Sequence, residues 1–107
     1  MVINENVMHM LSEISAKVNV RVVNTSSNAA PGYMPVHTCV MLPKREHIDL
    51  LDVSQYLYSH NFSQQATFAG SHNVRPLFFT HNDGSFAVIN ASQDGELVSI
   101  TVQWMAD

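Results

Sequence analysis

Two Asp-Gly dipeptides, Asp83-Gly84 and Asp94-Gly95, separate three runs rich in β-branched and aromatic residues, at 77–81, 85–91 and 96–104. Glycine accepts the positive φ that tight hairpin turns require, so Asp-Gly between such runs is a strong hairpin signal. Two in series predict a three-stranded antiparallel meander. A weaker strand at 65–69, turned by Gly70-Ser71-His72-Asn73, adds a fourth. In the last run Val98, Ile100, Val102 and Trp104 alternate with Ser99, Thr101 and Gln103, the pattern of a sheet with one face buried and one wet.

The first half reads differently. Val7, Met10, Leu11, Ile14 and Val18 recur at helical spacing over 5–17, with Asn6, His9, Glu13 and Lys17 on the opposite stripe. Asn4 suits the N-cap, and Glu5 complements the helix dipole. The period then drops to two: Val18, Val20 and Val22 alternate with Asn19 and Arg21, as in a half-buried strand. The polar stretch 24–35 reads as a long loop, followed by a strand at 36–42 that Pro43 ends. A second helix is expected within 46–60, with Leu50, Val53, Leu57 and Tyr56 on its apolar side. Asp52 with Gln55 offers a capping box and Asp49 a competing start, while Asn61 suits the left-handed position after the last turn.

The order is therefore α-β-β-α-β-β-β-β, an α+β fold with an antiparallel sheet and two helices packed on one face. A chain of 107 residues fits one domain, 1–107, and 46% hydrophobic residues supply its core. A curved sheet wrapped around a helix, in the manner of a cone, is the other arrangement the strand count allows.

Charge narrows the partners. The net charge is −4, and only Lys44 and Arg45 are adjacent cations, so no basic strip for nucleic acid is expected. No run approaches the ~18 apolar residues of a membrane span, and the N-terminus lacks the basic start of a signal peptide. Cys39 is the sole cysteine, which excludes an intrachain disulfide and suits a reducing, cytoplasmic setting. The sequons at Asn24, Asn61 and Asn90 are then chance occurrences.

Few residues suggest chemistry. His37, Cys39 and Met41 share one side of a strand and form a stripe of soft donors. With Val36, Val40 and Leu42 turned to the core, the stripe is expected on the outer face. A structural metal site needs about four ligands and none of the usual spacings is present, so no metal is expected. A mid-strand cysteine also lacks the local features that stabilise a thiolate nucleophile. The remaining histidines are scattered: His9 pairs with Glu13 along the helix, and His81-Asn82-Asp83 is what a tight turn wants. The glycines are isolated, so phosphate-cradling and dinucleotide loops are absent, as are the hydrolase and metalloprotease motifs. No cofactor is implied.

What remains is a non-enzymatic binding or regulatory module that engages a protein or a small molecule, of the kind carried as accessory genes on bacterial mobile elements. The alternative is a cone-like enzyme or ligand-binding domain with an apolar pocket gated by 24–35. A pocket of roughly 300 Å³ or more, with polar groups from Tyr33, His37, Cys39 or His81, would favour the second. With only 13% charged residues, self-association as a homodimer is expected through a sheet edge or the Cys39/Met41 face.

Overall fold

The computed structural model describes residues 4–28, 36–45, 47–65 and 75–105. Among them are two helices, α1 (Glu5–Lys17) and α2 (Leu50–Ser59). Six strands follow in chain order as β1 (Val20–Asn28), β2 (Val36–Pro43), β3 (Ser63–Gln64), β4 (Arg75–Thr80), β5 (Phe86–Ala91) and β6 (Leu97–Met105). They form one antiparallel sheet in the order β1-β2-β6-β5-β4-β3. The expected α+β class and element order hold. The long central β6 pairs with β2 on one side and β5 on the other, joining the two halves of the chain.

Helix α1 forms where its apolar spacing places it. Val7, Met10, Leu11 and Ile14 are buried, and Asn4 Oδ1 caps the first turn by accepting from the Val7 N–H. Asn4 also reaches across the fold. Its Nδ2 donates to Asp83 Oδ2 at 2.9 Å and to Ser85 Oγ at 3.3 Å, pinning the start of α1 to the β4–β5 turn. Helix α2 starts at Asp49, whose carboxylate accepts from the Leu51 N–H; Asp52 lies inside the first turn. Asn61 takes the left-handed conformation at φ 67°. The two helices are clamped by His60. Its Nε2 lies 3.2 Å from Glu13 Oε2 and its Nδ1 3.0 Å from Asn6 Oδ1, so Glu13 reaches α2 rather than pairing with His9.

Both helices lie on one sheet face. Val7, Met10, Ile14, Val53 and Leu57 pack with Met41, Phe79, Ile89, Ile100 and Val102 in one core cluster. The opposite sheet face carries no helix.

Four expectations need correction. The strand before the polar stretch does not end near 24: β1 runs to Asn28 and pairs down to Asn28↔Val36. Arg21 to Ser27 are all exposed, so their polarity reflects an edge strand open to water rather than a loop. A bulge between Val22 and Asn24 shifts the alternation by one residue, which hid the continuation. Second, β2 faces the other way. Cys39 pairs with Val102 and Met41 with Ile100, which places both on the helix side, at 2% and 0% exposure. Val36, Val40 and Leu42 lie on the open face, half-buried. Third, an irregularity between Asn90 and Ala91 sets Ala91 opposite Leu97 and Asn90 opposite Ser99. Leu97 takes the buried position and Val98 is left 39% exposed. Fourth, the strand pairing with β4 is the short Ser63–Gln64, ahead of the expected 65–69. Residues 66–74 lie outside the described residues.

Candidate functional site

Because β1 extends past the first turn of pairing with β2, the sheet continues beyond the cover of α1. The result is a groove of about 510 Å³ between α1 and the β1-β2-β6 edge. Its helix wall is Met8, Leu11, Ser12 and Ser15; its floor is built from Val22, Thr25, Ser27, His37, Cys39 and Trp104. Register explains the floor. Ser27 opposes His37 and Thr25 opposes Cys39, while His37 also opposes Trp104 across β2 and β6. Side chains directly opposite in a sheet share a face, so these five residues present one continuous surface to α1.

The chemistry of this surface is unusual in two respects. No Asp, Glu, Lys or Arg lines it. It also contains two buried ring nitrogens, His37 Nε2 and Trp104 Nε1, that have no hydrogen-bond partner among the described residues. The two rings stack on each other, with centroids 5.7 Å apart and planes 26° from parallel. Most buried side-chain nitrogens are satisfied, and each unmade bond costs about 1–3 kcal/mol. Two unsatisfied nitrogens on neighbouring rings therefore set this end of the sheet apart from an ordinary core.

Cys39 contributes a wall rather than a nucleophile. Burial pushes its thiol pKa up, which disfavours the thiolate. Its neighbours in the floor are apolar or hydroxyl-bearing, apart from His37. Of the expected site residues, the structure brings His37 and Cys39 together. Tyr33 lies outside the described residues, as does the end of the proposed gating segment.

His81 is elsewhere. Strand β4, which leads into it, is separated from β2 by β5 and β6, roughly 14 Å at ordinary strand spacing. There the imidazole packs on Phe62, with centroids 5.2 Å apart. Its Nδ1 accepts from the Asp83 N–H at 3.0 Å, as a turn histidine does. Asp83 is drawn into the same turn. Desolvation raises its pKa, but hydrogen bonds from Asn4 and Ser85 and the field of His81 outweigh that and leave it lowered. The histidine and carboxylate hold a turn together.

A second hollow, about 450 Å³, lies between the start of α2 and the β5–β6 turn, beside Asp49, Asp94, Glu96 and His47. No three His, Cys, Asp or Glu side chains converge as metal ligands among the described residues. No described helix is long and apolar enough to cross a membrane.

Sequence reasoning found His37, Cys39 and Trp104 but missed the helix wall and the β1 contribution. Met8, Ser12 and Ser15 stand on the polar side of α1, where periodicity assigns them to solvent. Thr25 and Ser27 alternate correctly, but only once the bulge is allowed for.

No family model matches this chain, and no curated protein or solved structure matches it either.

Proposed function

We propose that this domain is a non-enzymatic binding module whose site is the groove between α1 and the β1-β2-β6 edge. Its ligand is a small, uncharged, planar molecule with a hydrogen-bond acceptor. The observation that carries this reading is a groove of about 510 Å³ free of Asp, Glu, Lys and Arg, with two unpartnered ring nitrogens in its floor. The volume lies within the range of small-molecule sites, about 300–1,000 Å³. A charged ligand would find no fixed counter-charge, whereas a flat ring can stack beside the Trp104–His37 pair. The serine and threonine hydroxyls along the walls supply orientation. Both ring nitrogens are shut off from water, so the acceptor is met by a small rotation of the rings rather than by a rigid slot. Cys39 unpaired in a buried position fits work in a reducing compartment such as the cytoplasm. We also hold that the module acts as a homodimer, since its low charge fraction leaves surface suited to self-association.

The test is a fluorescence titration with an uncharged aromatic probe, N-phenyl-1-naphthylamine. Saturable probe enhancement with a matching change in Trp104 emission is expected, and Ser12→Phe, which fills the groove from the helix wall, should abolish both. No saturable signal, or one unaffected by Ser12→Phe, overturns the assignment.

A further inference from the structure

The sheet face turned away from the helices has a composition that bears on its partner. Its positions follow from register: Val36, Thr38, Val40 and Leu42 on β2, Thr101, Gln103 and Met105 on β6, Phe86 and Val88 on β5, and Phe78 on β4. These residues are half-buried or exposed, with Phe86 at 37% and Met105 at 44%. Across its centre Asn24, Val40, Thr101, Val88 and Phe78 form one row, strand by strand. Arg21, opposite Leu42 at the β1 edge, is the one ionisable side chain among the paired positions of this face.

We infer that this open face is the interface with a second copy of the chain, the two sheets packing face to face about a twofold axis. This rests on the self-association included in the functional reading above and names its surface. Charge is the first argument. The chain carries −4, so two copies repel wherever their acidic surfaces meet. A face almost without ionisable groups is where a second copy approaches without that repulsion, and a strongly charged partner gains nothing there. Extent is the second argument. Six strands of up to nine residues, at about 4.8 Å between strands and 3.3 Å per residue, cover roughly 600 Å² in projection. The accessible area of a corrugated face exceeds its projection, which brings it near the ~800 Å² each partner gives to a standard interface. Shape is the third. Valine, threonine and phenylalanine in alternating rows are what two aligned sheets interdigitate at about 10 Å separation. The sheet edges are less suited. Strand β3 is two residues long, and β1 is bent by its bulge and opens with Val20 and Arg21. The ligand groove lies on the other side of the sheet and is left open.

Light scattering on a sizing column at tens of micromolar tests this. The parent chain should run at about twice 11.9 kDa. Val88→Lys and, as a milder surface change, Gln103→Lys each place like charges across the axis and should halve the mass, with unchanged circular dichroism and retained probe binding. A monomeric parent overturns both the interface and the self-association. A parent dimer that survives both substitutions overturns this interface alone and leaves an edge-paired dimer. Loss of probe binding in a folded monomeric variant also contradicts it, because the groove and the interface would then not be separate.

Discussion

Replacing Asn4 with alanine removes one cap and two cross-fold hydrogen bonds at once. The cap to the Val7 N–H is worth about 1 kcal/mol, the usual cost of losing an N-cap side chain. The 2.9 Å bond to Asp83 has an ionised acceptor, but that side chain is 29% exposed. The low end for a charged partner, about 1.5 kcal/mol, is therefore appropriate. The longer contact to Ser85 adds little. Asn4→Ala should thus cost about 2.5 kcal/mol at pH 7, read as the shift in a urea unfolding curve followed by circular dichroism. The cost should also depend on pH. Asp83 has its pKa lowered in the folded chain, so its contribution is present above its unfolded value near 3.8 and lost as pH falls through the lowered one. Between pH 5 and 7 the gap between parent and variant should stay constant. Below about pH 3 it should close toward the ~1 kcal/mol of the cap alone. A cost under 1 kcal/mol at pH 7, or a gap that does not narrow in acid, refutes the claim that Asn4 ties α1 to the β4–β5 turn through Asp83.

Gly95→Val forces a β-branched residue into φ 82°, and should cost about 1 kcal/mol or more, or 4–8 °C in the melting temperature of a chain this size. Coincident melts would remove the turn assignment. Trp104→Ala should cost about 3 kcal/mol, the low end for a buried tryptophan, because the ring borders an open groove; native emission at a water-exposed wavelength would contradict its 8% exposure. Cys39, 2% exposed with its thiol pKa raised by burial, should react with a disulfide reagent at pH 8 at least about tenfold more slowly than in urea. Equal rates would mean the groove floor is open to solvent.

The C-terminal meander was readable because Asp-Gly turns and period-two alternation are local signals that agree. Gly84 and Gly95 both have positive φ, and β4, β5 and β6 pair as the turns imply. Helix α1 was readable for the same reason. The site was not, because each of its parts depends on a non-local choice. Alternation on β2 shows that His37, Cys39 and Met41 share a face, but not which face. Pairing with Val102 and Ile100 decides that, and cysteine and methionine prove to be the core side. Threonine and serine in β1 look like loop until β2 supplies their backbone partners. Val98 alternates with Ile100 in sequence, yet the irregularity at Asn90 turns it outward. One extra residue in a strand inverts every side chain beyond it, and no local pattern marks where that residue falls.

Trp104 is the only tryptophan, so the indole N–H gives a single resolved peak in a nitrogen–proton correlation spectrum. Titrating labelled protein with N-phenyl-1-naphthylamine and following that peak tests the groove most directly. Saturable shifts of the indole N–H are expected, together with the amides of Leu11, Ser12, Thr25, Ser27, His37 and Cys39, while Val88 and Phe78 on the open face stay fixed. An indole peak that does not move while the probe binds, or shifts confined to the open face, would contradict the site.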